Sequence, residues 1–359
     1  MKSLPERAAG RPSDVKPSSK ESSRRAGQQR LAVALAVGLL CGVASWLIIK
    51  PARRDSYQDF AFLWFAAKAI LAGKSPYRTV LSTAGDPRFF YPLTTPLAIL
   101  PFVVLSVRVA GPVFVGLSCG ALAYVVTADA WWPLWIFGSG SMFVAIVAAS
   151  FAIVLPLGLF VPWLGWLGVF KPNIGLAILA YRPARKTLFV MMAIGLISVA
   201  VQPSWPEEWL NVALKSPFHF APWRVPGGFV VLLAVLRWRL PEARLLAIMA
   251  LVPSSPIAYE ALPLFVIPKN RIEMITLAIT TNVVVALVGS MSLQGERLRY
   301  LAVAQPAMVW LVYVPALAMV LRRPNVGSAP DWLERASGKL PAWLRGNSLA
   351  APSRPLSSE

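Results

Sequence analysis

From residue 31 to residue 321 the chain is a succession of apolar runs separated by short clusters of Arg and Lys. No other feature constrains the fold as tightly. About twenty apolar residues in a helix span the hydrocarbon core of a bilayer. In lipid each backbone polar group must also be paired within protein, which leaves helices or closed barrels. Hydrophobic residues make up 57% and charged residues 14% of the chain, whereas a soluble domain carries about 25% charged residues. Such a chain cannot cover itself with polar groups in water, so a set of soluble domains is excluded. The expected fold is all-α: a polytopic transmembrane helix bundle of roughly 9–12 spans, with an interfacial helix in the first outer loop.

The formal net charge of +19 does not point to nucleic acid. Its charges lie between apolar runs and in the two tails, with no basic face on a soluble module. They match the bias of Lys and Arg toward cytoplasmic loops. Arg24, Arg25 and Arg30 then hold the start of the first span, residues 31–49, in the cytoplasm as an uncleaved anchor. Residues 1–30 read as a disordered basic tail, residues 31–321 as the membrane domain, and residues 322–359 as a Pro/Ser-rich tail. Both termini are expected in the cytoplasm of a multi-pass protein of a plasma membrane or cell inner membrane.

An outer segment, residues 50–88, includes an amphipathic stretch at 57–71. Residues 90–107 are expected to return inward, with Arg108 on the inside, and residues 109–127 to go out again. Runs at 133–150 and 151–170 form the next pair. The run 172–181 ends at an inner basic loop, 182–186, and 187–201 leads to a second outer loop at 202–224. Residues 227–236 return to Arg237, Arg239 and Arg244. Residues 245–268, broken by Pro253, Pro256 and Pro263, read as two half-helices meeting at Tyr259–Glu260. Residues 273–293 and 300–321 are the last spans.

Cys41 and Cys119 lie within apolar runs and read as small packing residues. With a single histidine and no Cys/His cluster, neither a metal nor a cofactor is expected. The few acids carry more information. Asp55 and Asp59 are four apart beyond the first span, on one face of a helix. Glu207 and Glu208 lie in the second outer loop. Asp59 suits an interfacial ion pair with Arg53 or Arg54, or a general base whose pKa rises beside an apolar wall. Glu260 suits a partner for Lys269 or Arg271, or a second acid near an acceptor. Lys171 suits a snorkelling lysine or a phosphate contact. His219 suits an interfacial ring between aromatics, or the same contact. The tryptophans fit a membrane belt, with Trp64 and Trp205 as candidate sugar platforms.

The stretch from Asp59 through Phe60, Trp64, Ala66–Ala67, Leu71 and Gly73 to Pro76–Tyr77 resembles the first outer loop of glycosyltransferase family 87. These are polyprenol-phosphate-mannose-dependent mannosyltransferases of the GT-C superfamily. Phe90-Tyr91-Pro92 is similar to the family's segment opening the next span, and Lys171-Pro172 to its Lys-Pro motif. The likeness covers about residues 30–185. Leu93 stands where the family has a second proline, and Ala148-Ala149-Ser150-Phe151 where it has Gly-Gln. The resemblance implies a GT-C-like fold and transfer of a sugar, mannose or a related hexose, from a polyprenyl-phosphate donor to a lipid, glycan or protein acceptor at the outer face. Asp59 would be the general base, Lys171, Lys215, His219 and Arg224 the donor phosphate contacts, and Tyr91, Trp64, Tyr77 and Glu260 substrate contacts. Asp59, Lys171, His219 and Glu260 should then converge on one lipid-open pocket. A transporter or lipid flippase, with broken helices lining a path, and an inactive homologue are the rival readings.

Overall fold

The computed structural model describes residues 19–48, 59–80, 89–215, 219–291 and 297–327, with isolated positions between 334 and 345. Asp55, Arg53 and Arg54 and the first part of the N-terminal tail lie outside the described residues. Among the described residues the chain is helical without a strand, and Phe220 and Ser254 form one antiparallel bridge. The first half holds α1 (Ser19–Ile48), α2 (Asp59–Leu71), α3 (Pro76–Thr79), α4 (Thr94–Ile99), α5 (Val107–Val126), α6 (Gly140–Val147), α7 (Leu157–Phe160) and α8 (Pro172–Tyr181). The second holds α9 (Arg185–Val201), α10 (Trp205–Ala213), α11 (Pro241–Leu251), α12 (Arg271–Val288), α13 (Arg297–Met308) and α14 (Val314–Leu321). Several 3₁₀ segments lie between them, among them Pro162–Phe170, Gly228–Arg237 and Ala258–Val266.

Among the described residues, four helical stretches are long and apolar enough to cross a bilayer: Arg24–Ile48, Val107–Val126, Arg271–Val288 and Leu298–Leu321. α9 and α10 make a fifth if taken together across their 103° bend. The exposed side chains of α1 and α9 are mostly large and apolar, Leu35, Leu39, Leu47, Phe189, Leu196 and Ile197 among them, a surface suited to lipid and not to water. α1 starts at Ser19, so residues 19–30 are helical where a disordered tail was expected. No proline interrupts them, and they continue the apolar helix directly.

α1 and α5 pack antiparallel through small residues. A Cβ on Gly38 would lie 2.7 Å from the Gly116 carbonyl oxygen, one on Gly42 3.1 Å from that of Pro112, and one on Gly120 3.1 Å from that of Ala34. Arg30 closes the row by donating to the Tyr124 carbonyl at 2.8 Å. Small residues four apart let two helix backbones touch, the usual source of attraction where water supplies none. This pairing corrects the expected path. Residue 107 lies at the end of α5 nearest the close of α1, so Arg108 is at the face opposite Arg30. Residues 94–104 form only α4 and a 3₁₀ turn, and do not carry the chain back across.

Two further expected spans are hairpins. Gly158 backs onto Leu164–Gly165, and Gly168 onto Gly175, so residues 151–170 leave and return to one level. Glu242 at the start of α11 pairs with Lys269, placing both ends of residues 241–269 together. The break falls at Val252–Ile257, not at Tyr259–Glu260, because Pro253 and Pro256 interrupt the chain there.

The ends of residues 241–269 meet a basic face. Arg244 donates to the carbonyls of Ala180 (2.8 Å) and Tyr181 (3.2 Å), and Arg237 to those of Leu321 (3.1 Å) and Arg323 (2.6 Å). These arginines satisfy carbonyls that the ends of α8 and α14 leave open. Arg323 pairs with Glu273 at 2.8 Å. Arg239 grips Glu334 with both Nη atoms, at 2.5 and 2.8 Å, so part of the C-terminal tail is docked there.

Substituting Gly38→Ala places a methyl against backbone that cannot yield, at an expected cost of about 1–3 kcal/mol. Gly195→Ala on α9 meets nothing within 4 Å and serves as the control. Thermal unfolding in detergent should show a clear drop in Tm for the first variant and none for the second. Equal Tm values would refute the close α1–α5 contact.

Candidate functional site

Two threonines bring the distant motifs together. Thr94 donates to the Val169 carbonyl at 3.1 Å and Thr95 to that of Phe170 at 2.6 Å. The segment opened by Tyr91 is thereby fastened to the segment closed by Lys171. From below, the Tyr77 hydroxyl donates to the Tyr91 carbonyl at 3.1 Å, and Trp209 Nε1 to that of Phe90 at 3.0 Å. α2 adds Asp59 at its first position. It is held in place by the buried row Phe60, Leu63, Trp64 and Ala67, so it is a packed helix and not one lying free along the interface.

Lys171 is the centre. Its Nζ lies 2.5 Å from Glu260 Oε1, 5.6 Å from the Tyr91 ring centroid and 5.1 Å from that of Tyr259. The side chains of Lys171 and Glu260 are 11% and 3% exposed. A buried ammonium is thus neutralised by one carboxylate and flanked by two aromatic rings. Glu260 therefore pairs with Lys171, not with Lys269 or Arg271; the α11 hairpin carries Lys269 to Glu242 instead. Its second oxygen, Oε2, is shut from solvent and lacks a hydrogen-bond partner.

Asp59 stands beside this pair and is half-buried. Burial pushes its pKa up, opposed by the Tyr259 hydroxyl, the Lys171 charge and the Ser150 hydroxyl, in that order. Asp59 Oδ2 also has no hydrogen-bond partner. The site thus holds two acids, one base and two unpartnered buried carboxylate oxygens, a set of acceptors facing inward.

Ser150 reaches the site through an unusual turn. Ala149, fully buried, takes φ +46°, a left-handed conformation that costs a residue with a Cβ roughly 1–2 kcal/mol. In the sequence Ser150 and Tyr259 figure only as parts of their segments, not as site residues. Hydroxyls in apolar runs are common, and neither stands in a distinctive motif.

The other expected residues divide. Trp64 is buried, donates to the Leu105 carbonyl at 3.2 Å and carries Lys68 Nζ at 4.5 Å over its ring; it anchors α2 and offers no platform. Trp205 packs on Trp209 at 6.0 Å. Tyr77 supports the backbone of Tyr91. Lys215 and His219 are exposed, and Arg224 stacks over Trp223 at 5.3 Å on the surface. Partial desolvation holds the His219 pKa down, aided by the Lys171 charge and opposed by the Ala213 backbone. Its neighbour Phe220 pairs with Ser254 in the break of the α11 hairpin, so the loop of His219 lies at the tip of the element that carries Glu260. Asp59, Lys171 and Glu260 converge; His219 is exposed yet near enough to feel the Lys171 charge, while Lys215 and Arg224 lie on the surface. Among the described residues there is no cluster of three His, Cys, Asp or Glu able to hold a metal.

α8 places Lys171 ten residues, about 15 Å, above the basic face.

Ala149→Gly should relieve the strained turn and stabilise the protein by about 1 kcal/mol, read as a higher Tm in detergent. A lower Tm would show that the turn carries no strain. Comparison of the chain with protein-family profiles, with curated proteins and with solved structures finds no match.

Proposed function

We propose that the chain is an integral membrane glycosyltransferase of GT-C type. It moves a hexose, mannose or a close relative, from a polyprenyl-phosphate donor to an acceptor hydroxyl at the face opposite the basic clusters. The observation that carries this reading is the convergence of Asp59, Tyr91 and Lys171, the three segments of the family-like pattern, on one site. Ala149 adds support: it takes a glycine-like conformation where the family has Gly-Gln.

In this mechanism Asp59 accepts the proton of the acceptor hydroxyl. The oxygen attacks the anomeric carbon from the side opposite the phosphate, with inversion. The bond from that carbon to the phosphate oxygen breaks, and polyprenyl phosphate leaves with the electron pair. A raised pKa makes Asp59 a stronger base. Lys171 is the buried cation nearest the reacting groups. Since Glu260 already holds it, its first task is to order Tyr91 and Tyr259, and Glu260 shares it with the leaving phosphate. Lys215 and Arg224 suit the entry path of the donor headgroup better than the reacting centre. With the basic face in the cytoplasm, the site opens toward the outer side.

A second reading has one specific observation in its favour. A buried lysine–carboxylate pair between two hairpins also suits a proton-coupled transporter. Substrate-driven proton uptake into vesicles, without sugar transfer, would select it.

Asp59→Asn should lower transfer from a polyprenyl-phosphate sugar in reconstituted vesicles by about 10²–10⁴-fold. In the wild type, the rate should fall as pH drops through the Asp59 titration, whose midpoint lies above the ordinary value of 3.8, because the protonated acid cannot take a proton. Undiminished transfer by the variant removes Asp59 from the mechanism. A rate that stays flat to below that value removes its role as base.

A further inference from the structure

A cavity of about 470 Å³ lies where α3 meets the bend between α9 and α10. Ser75, Arg78, Thr79, Gln202, Ser204 and Glu208 line it, with the exposed Lys74 beside them. Glu208 is its hub. Its carboxylate accepts from Ser75 Oγ, from Gln202 Nε2 at 3.2 Å and from Ser204 Oγ at 3.4 Å, and pairs with Arg78 at 2.7 Å. The Glu208 side chain is 13% exposed and that of Arg78 76%. The acid is thus built in, while its partner reaches it from solvent.

We propose that this cavity binds a neutral polyhydroxyl ligand, the distal sugars of the acceptor. The chemistry of the lining sets the class of ligand. Charge cancels at the centre, where Glu208 answers Arg78, and the exposed Lys74 adds one further cation. Around it stand an amide, three hydroxyls and a carboxylate, donors and acceptors together at short range. Neighbouring hydroxyls of a sugar, each able to donate and accept, match that set. An apolar ligand would strand most of these groups.

The position sets its relation to the reaction. The helices that form the cavity also fasten the reacting site: α3 through Tyr77 to the Tyr91 carbonyl, and α10 through Trp209 to the Phe90 carbonyl. Ile70, at the cavity's inner wall, follows Asp59 by eleven positions of α2, about 16 Å. A single sugar cannot touch both places, so the proposal makes the acceptor an extended glycan. That last step rests on the transferase reading; saccharide binding by the cavity does not.

The test is calorimetric titration of the full chain in lipid nanodiscs with a linear neutral mannotetraose and with a phosphorylated mannose. The wild type should bind the neutral tetrasaccharide in preference. Glu208→Gln and Gln202→Ala should each weaken that binding by about tenfold or more. The second variant removes a surface amide and guards against misfolding of the first. No saccharide binding by the wild type, a preference for the phosphorylated sugar, or unchanged affinity in a folded Gln202→Ala would overturn the proposal. Tetrasaccharide binding that both variants weaken, in a protein that transfers no sugar in vesicles, upholds the cavity and refutes the transferase reading alone.

Discussion

The ion pair between Lys171 and Glu260 joins the start of α8 to the return limb of the α11 hairpin. Lys171 ends one hairpin, residues 151–170, and Glu260 begins the return of another. Tyr91 and Tyr259 close on the ammonium from two sides. Removing one partner would leave a charge buried without compensation, which costs several kcal/mol. Geometry at Asp59 depends on the same pair, since Tyr259 and Lys171 both act on its carboxyl. Support comes from hydrogen bonds to main-chain carbonyls, from Thr94, Thr95, Tyr77 and Trp209. Such bonds fix the positions of segments whatever their side chains do.

The charges sort along the molecule. One end gathers Arg237, Arg239, Arg244 and Arg323 onto helix carbonyls and acids. Toward the other end lie Asp59, Glu208 and Glu260. A polar site can exist inside an apolar bundle because the protein around it surrounds its irregular backbone. Of the long helices, α5 reaches in toward the site through Phe114, which packs on Phe60 and Phe151.

Much of this was legible in the residues. Apolar runs gave the helical membrane-type architecture, and charge clusters gave the basic face. The pattern around Asp59, Tyr91 and Lys171 marked three segments that the fold brings together. What escaped was path and partnership. Runs such as 90–107 and 151–170 have the length of spans, and composition does not distinguish a crossing from a hairpin. Only contacts such as Gly38 with Gly116, or Glu242 with Lys269, reveal which ends share a face. One reading of Glu260 paired it with Lys269 or Arg271, its neighbours in sequence, but it meets Lys171 instead, and Lys269 meets Glu242. Ser150 and Tyr259 could not be chosen among many similar hydroxyls, although Ala149, forced into a left-handed turn, marks where Ser150 is needed.

The account stands most directly on the coupling between Lys171 and Glu260. A double-mutant cycle in unfolding free energy, with Lys171→Met, Glu260→Gln and both together, measures it. Each single variant should lose about 3 kcal/mol or more, and the double variant should regain most of that loss. Additive losses, with no recovery in the double variant, would contradict the central role given to this pair.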